Sequence, residues 1–311
     1  MIWLIGSGGM SVDYTTVLNS LGVDYIVVGR GANSAEEFKK RAGVDVVVGG
    51  TEKLISESTE VPDAAIISVG VEQLYNVTSL LIEFGVKNIL VEKPAALSFN
   101  EIDDLYQLSI KKSCSIFIAY NRRFFSSVLE LRSRVIEEGG VTSFNFEFTE
   151  WSHKIEKLDK PEIVLEKWLL SNSTHIVDLA FYLGGKPSEI ASFVRGGVSW
   201  HPNGSVFTGS GVTEKGALFS YCANWESAGR WAVEVLTKEN RYYLSPIEEL
   251  QVQKRGQINK EAVEINDQLD KSFKPGLYKQ VKAFLEKDHD LLCSIKEHRD
   301  IFSVYEKIAG Y

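Results

Sequence analysis

Six short apolar runs, separated by segments of helical spacing, constrain the first 120 residues more than any other feature of this chain. The runs are Ile2–Ile5, Tyr25–Val28, Val44–Val48, Ala64–Val69, Lys87–Val91 and Ser115–Ala119. Between them, Ser34–Arg41 reads as a helix, and Val71–Phe84 carries Leu74, Val77, Leu81 and Phe84 on one helical face. Ser98 and Glu101 form a capping-box pattern for a further helix to about Lys112. This alternation predicts a parallel, doubly wound α/β sheet.

The loops after the runs carry the chemistry. Gly6-Ser7-Gly8-Gly9-Met10-Ser11 follows the first strand and matches G-x-G-x-x-[G/A], with Ser11 at the usual third glycine. Gly6 would allow the tight turn and Gly8 a close approach of backbone to a pyrophosphate, with the helix N-terminus supplying N–H groups. The second strand ends in Gly29-Arg30-Gly31, without the acidic residue that would bond a ribose 2′-hydroxyl. Arg30 with Ser34 suits a 2′-phosphate, so NADP is the expected cofactor, with NAD as the alternative. Ser68, Val69, Glu92 and Lys93, at later strand ends, are counted with Gly6, Ser7, Gly8, Gly9, Met10, Arg30 and Ser34 as cofactor-site candidates.

After the fifth strand comes Glu92-Lys93-Pro94. Proline excludes helical geometry at the residue before it, so the chain turns there and Lys93 stands at the carboxyl end of a buried strand, where open α/β sheets place their ligands. The sixth run ends in Asn121-Arg122-Arg123-Phe124. Together, the N-terminal glycine loop, the Glu-Lys-Pro turn and the Asn-Arg-Arg-Phe exit resemble the Gfo/Idh/MocA oxidoreductases. That resemblance implies an NAD(P)-binding Rossmann domain, placed at 1–121. It also implies a substrate-binding and oligomerising α+β domain at 122–311 with an open, mainly antiparallel sheet.

The residue pattern beyond Arg123 agrees in outline. Phe124–Glu138 reads as a helix, and Val141–Trp151 alternates through Phe144, Phe146 and Phe148 as a strand with one buried face. Further strands are expected at Glu189–Val194, Ser205–Thr213, Ala217–Trp225, Trp231–Thr237, Arg241–Leu244 and Leu250–Lys254. A sheet with one uncovered face associates readily with its own copy, and the resemblance implies a homodimer or homotetramer. Ile163–Leu183 reads as one helix, holding His175 and Asp178 on nearly the same face.

The run from His175 to Gly185 is similar to the family's second signature, whose histidine sits beside the substrate. Many members carry an aspartate four residues before it; here that position is Ser171, followed by Asn172, whose amide could bond substrate hydroxyls. The resemblance therefore implies Lys93 and His175 as catalytic residues, with Lys93 donating to the reacting oxygen and His175 taking the alcohol proton. Asn121, Arg122, Asn172 and Tyr278 join them as substrate-contact candidates, the substrate being a sugar, sugar nucleotide or cyclitol. Two other readings remain open. One is a non-catalytic nicotinamide or sugar sensor, which Ser171 favours; the other is a reductase of a non-sugar ligand similar to biliverdin reductase.

Composition narrows the class further. A net charge of −8 with scattered Lys and Arg gives no support to nucleic-acid binding. Three widely separated cysteines suggest neither a disulfide framework nor a metal site. The opening MIWLIG lacks a basic leader and no apolar window is long enough to cross a membrane, so a cytoplasmic location is expected.

Overall fold

The computed structural model describes all 311 residues, which form two compact units. Through the first 121 residues the order is β1 (Ile2–Ile5), α1 (Gly9–Ser20), β2 (Tyr25–Gly29), α2 (Ala32–Ala42), β3 (Val46–Val48), α3 (Gly50–Glu57), β4 (Ala64–Ile67), α4 (Leu74–Phe84), β5 (Asn88–Val91), α5 (Phe99–Lys112) and β6 (Ser115–Ile118). The strands run parallel in the spatial order β3-β2-β1-β4-β5-β6. All residues of β1 and β4 are buried, as expected of strands in the middle of a parallel sheet covered on both faces. The capping pattern forms in shifted form: Ser98 Oγ accepts from the Glu101 N–H at 3.3 Å, and Glu101 Oε2 accepts from the N–H of Leu97, the residue before the cap, at 3.1 Å. Periodicity does not announce α3, whose one buried apolar side chain is Leu54.

The chain continues through α6 (Ser126–Glu137), β7 (Ser143–Glu147), α7 (Ser152–Ile155), α8 (Glu162–Glu166), α9 (Thr174–Gly184), β8 (Pro187–Arg195), β9 (Val206–Thr213), β10 (Leu218–Asn224), β11 (Ala232–Leu236), β12 (Asn240–Leu244), β13 (Gln251–Lys254) and β14 (Glu261–Ala262). Its sheet has the order β14-β13-β12-β11-β7-β10-β9-β8, with β7 and β10 its one parallel pair. Phe144, Phe146 and Phe148 of the alternating strand point inward beside Phe219 and Tyr221, and Phe181 of α9 packs edge-on to Phe144 and Phe219 at 6.0 and 5.1 Å. Gly184 is required here, because a Cβ would lie 2.2 Å from Cε1 of Phe144.

Two sequence expectations need correction. Ile163–Leu183 is not one helix: α8 and α9 are separated by a π-helical turn, Leu169–Ser173. Hydroxyls there bond backward to backbone, Ser171 Oγ donating to Val164 O at 3.0 Å and Thr174 Oγ1 to Leu170 O at 2.8 Å, which widens the ladder. Nor does everything after residue 121 belong together. After α10 (Gln268–Ser272) come α11 (Leu277–Glu286), β15 (Cys293–Ser294) and α12 (Ile295–Ala309), and Lys271–Asp300 counts with the first unit, which otherwise comprises Met1–Asn121. Phe284 of α11 packs edge-on to Phe117 at 6.3 Å, and β15 adds an antiparallel edge to β6 through Cys293 and Ile118. A two-residue strand carries no periodicity, so nothing in the spacing marks the return. The second unit comprises Arg122–Asp270 and Ile301–Tyr311.

Candidate active site

Because β2, β1, β4 and β5 are adjacent and parallel, the loops that follow them leave one edge of the sheet, the carboxyl edge. Those loops hold Arg30, the segment Gly6–Met10, Ser68 with Val69, and Glu92 with Lys93. The sheet therefore gathers to one edge residues that lie up to eighty-seven positions apart in sequence.

At the centre, Gly6 has φ +120°, and a Cβ on it would lie 2.2 Å from the carbonyl oxygen of Ser68. No other residue lets β1 turn this close to the end of β4. At Gly8, the N-cap of α1, a Cβ would meet nothing within 4 Å, and no side chain caps the helix. The hydroxyls of Ser11 and Ser68 are buried beside this turn without hydrogen-bond partners. Uncapped helix N–H groups, open space over Gly8 and orphaned hydroxyls fit the pyrophosphate of a dinucleotide. Gly9 opens α1, and Met10 is half-buried in its first turn. Beside the loop, Ser7 Oγ lies 3.4 Å from Ser34 Oγ, which donates to Gly31 O at 3.0 Å, and Arg30 is exposed at the end of β2.

Glu92 to Ala95 form a tight turn around a cis Lys93-Pro94 peptide, closed by the Ala95 N–H donating to Glu92 O at 3.0 Å. Two contacts fix it. Glu92 accepts from the buried Tyr14 hydroxyl at 2.8 Å, and His298 Nε2 lies 3.0 Å from Pro94 O, so that nitrogen carries the imidazole proton. Burial raises the Glu92 pKa, while the Tyr14 hydrogen bond and the Lys93 charge act against the rise. Asn121 donates to Pro275 O at 2.9 Å, Lys274 pairs with Asp13 at 3.1 Å, and the Tyr278 ring lies 4.9 Å from that of Phe273, tilted by 35°.

In the second unit His175 occupies the first turn of α9, its ring 6.3 Å from that of Trp231. Asp178, three residues on, is engaged elsewhere, in a buried two-point ion pair with Arg123 at 2.8 and 2.5 Å. Arg122 lies over the Trp231 ring at 4.5 Å. Asn172 donates to Glu150 Oε1 at 2.8 Å, and Ser173 Oγ donates to the same oxygen at 2.7 Å.

Residues 2–120 match the family described as GFO_IDH_MocA, "Oxidoreductase family, NAD-binding Rossmann fold". The match covers the parallel-sheet segment and marks its similarity to the Gfo/Idh/MocA oxidoreductases; residues 121–311 lie outside it. A trans-1,2-dihydrobenzene-1,2-diol dehydrogenase of Danio rerio is 28% identical over 145 residues, covering 45% of this chain and 42% of that protein. The chain thus spans less than half the length of this relative. Over 99% of this chain, the fold matches a UDP-N-acetylglucosamine 3-dehydrogenase GnnA from Acidithiobacillus ferrooxidans (TM-score 0.77, 17% identity, 95% of that chain). It also matches a levoglucosan dehydrogenase in complex with NADH (TM-score 0.80, 18% identity, 96% of that chain).

Ser171, where the resemblance implies an aspartate, has a definite physical setting. Ser171 Oγ is buried and donates to the carbonyls of Val164 and Trp168. A carboxylate nevertheless stands at this turn: Glu150, 2% exposed, is held by Asn172, Ser173 and, at 3.3 Å, by Arg230. Burial raises its pKa, and the bonds from Ser173 and Asn172 and the Arg230 charge act against the rise. Sequence reasoning passed over both Glu150 and Arg230. The signal for Glu150 exists: it continues the inward series Phe144, Phe146, Phe148 with a charge, and a charge on a buried phase demands partners. Nothing local marks Arg230, and nothing marks His298 beneath the lysine turn.

Proposed function

We propose that the protein is an NAD(P)-dependent oxidoreductase acting on a secondary alcohol, or the corresponding ketone, of a sugar, sugar nucleotide or cyclitol. The observation that carries this is the single carboxyl edge of the first sheet, which holds both a dinucleotide cradle and the fixed turn bearing Lys93. When bound, the nicotinamide supplies the two-electron chemistry. Gly6, Ser7, Gly8, Gly9 and Met10 hold the pyrophosphate, with Ser68, Val69 and Glu92 lining the same edge. Arg30 and Ser34 take the 2′-phosphate, giving a preference for NADP over NAD. Lys93 donates to the reacting oxygen and stabilises the charge that builds on it as its proton leaves. His175 accepts that proton, an imidazole being suited to exchange near neutrality.

Relatives named for a dihydrobenzene diol, a UDP-sugar and levoglucosan support a ring alcohol as substrate. Asn172, one of whose two amide N–H groups is used on Glu150, presents its carbonyl oxygen to a substrate hydroxyl, and Arg122 lies beside the same indole as His175. Phe193 on β8 and Leu218 on β10, 60% and 62% exposed, support self-association through the open sheet face.

The test is turnover with NADP and a panel of sugars, sugar nucleotides and cyclitols, followed by the absorbance of the reduced nicotinamide. Lys93→Ala and His175→Ala should each lower turnover by about 10²–10⁴-fold with cofactor affinity nearly unchanged. Normal turnover in both variants overturns the assignment. Cofactor binding without turnover across the whole panel would instead favour the sensor, for which the absence of a carboxylate at Ser171 speaks. Arg30→Ala should narrow the NADP-to-NAD affinity ratio.

A further inference from the structure

One strip of side chains in the second unit is larger than the hydride chemistry requires. Starting from His175, the Trp231 ring lies at 6.3 Å. The Arg230 guanidinium sits over that ring at 4.7 Å and over the Trp151 ring at 4.8 Å, and Lys154 Nζ lies 4.1 Å from the centre of Trp151. Arg122 adds a second guanidinium over Trp231 at 4.5 Å. Three cations and two indoles therefore continue outward from the proposed proton acceptor.

Arg230 is the unusual member. Its one protein acceptor is Glu150, reached through Nη1 at 3.3 Å, although a guanidinium offers five N–H donors in a planar fork. An arginine present only to neutralise a buried carboxylate would sink its fork into that carboxylate, as Arg123 does with Asp178. Arg230 instead remains 49% exposed while Glu150 is buried. The carboxylate, fixed by Asn172 and Ser173, acts as an anchor, and the two indoles flank the guanidinium at 4.8 and 4.7 Å. A planar cation held in this way, with N–H groups left over, is preorganised for a second anion.

We propose that Arg230 is a specificity-determining residue, reading an acid group, carboxylate or phosphate, on the sugar whose alcohol reacts. The inference rests on the oxidoreductase reading and narrows its substrate class from sugars to acidic sugars. A cavity of about 530 Å³ adjoins the strip, lined by Trp151 and Trp225 but also by Glu156 and Glu226. Two carboxylates there repel a further anion and accept from hydroxyls, so the acid group belongs at Arg230 and the cavity takes an uncharged, hydroxyl-bearing portion of the ligand.

The experiment is calorimetric titration of the NADP-loaded protein with paired probes: glucuronate, glucose 6-phosphate and glucose, then UDP-glucuronate and UDP-glucose. At least one acid sugar should bind on the order of tenfold tighter than its neutral partner, the expected worth of one charge-assisted two-point contact. The carboxylate and phosphate arms tell the two acid groups apart. Arg230→Met should abolish the preference, and Arg230→Lys should keep part of it. Because Arg230→Met leaves Glu150 short of a partner, the double variant Glu150→Gln/Arg230→Met, without that charge, should lose the preference equally. NADP affinity should match the parent in all three. A parent that holds no acid sugar more tightly than its neutral partner, or a preference that survives Arg230→Met, overturns the proposal. Failure of the oxidoreductase reading looks different: the parent would then either not bind NADP or bind it and turn over no member of the panel, whatever its preference between acid and neutral sugars.

Discussion

The glycine loop after β1 exposes backbone N–H groups and keeps side chains away, whereas the turn before His175 gathers side chains from separate stretches of chain around one buried carboxylate. The first arrangement is made of spacing. Gly6 must be glycine because Ser68 O occupies the place of its Cβ, and Gly8 leaves room because nothing lies above it. The second is made of tertiary contact: Glu150 follows β7, Asn172 and Ser173 close the π-helical turn, and Arg230 precedes β11. A backbone-built site tolerates almost any sequence around its glycines. A side-chain-built site can draw its charged group from another segment, as the turn that holds Asn172 and Ser173 draws on Glu150.

The largest expected effect tests the backbone half. Gly6→Ala puts a methyl 2.2 Å from Ser68 O at φ +120°. Either β1 or β4 must move, and NADP affinity, read by fluorescence titration, should fall by about 100-fold or more, with about 3 kcal/mol lost from stability. Near-parent affinity would mean that the loop is not the cradle.

A smaller effect tests the other half. If position 171 were simply the aspartate slot that the sequence resemblance implies, Ser171→Asp would be tolerated. The structure predicts otherwise, because Ser171 Oγ donates to Val164 O and a carboxylate cannot. Exchanging a buried donor for an anion against carbonyl oxygens should cost about 2–3 kcal/mol in denaturant unfolding. Unchanged stability would show that the turn can revert to α-helix and that its π geometry is not fixed by these hydroxyls.

The same contrast explains what was legible in the sequence. The parallel sheet, its strand ends and the Lys93 turn follow from apolar periodicity, glycine spacing and one proline, all local signals. The meander of the second unit was legible for the same reason. What escaped was non-local: Lys271–Asp300 joins the first unit through a two-residue strand and one face of α11, and the long helix breaks because hydroxyls bond backward at Ser171 and Thr174. Glu150 sat in plain phase with three inward phenylalanines. Its partners could not be read, because the donors to a buried charge come from wherever the fold brings them.

The smallest effect sharpens the comparison through buried titrating groups of the second unit. His201 is fully buried; burial lowers its pKa from the ordinary 6.5, with the bond to Gly204 O at 2.7 Å acting against the shift. The unfolded chain then takes up a proton that the native ring refuses, so the stability His201 contributes is present above the unfolded pKa and is lost as pH falls through the folded one. Glu150 has the opposite sign. Its pKa is raised by burial from the ordinary 4.5, so its contribution is present below that value and is lost as pH rises through the folded one. Thermal unfolding followed between acid and neutral pH should therefore show a shallower loss toward acid in His201→Gln than in the parent, and a shallower loss toward neutral pH in Glu150→Gln. Parallel profiles for all three proteins would mean that neither group is held in the charge state its surroundings impose, and the carboxylate at the His175 turn would then be a solvated side chain instead of the anchor for Asn172 and Arg230.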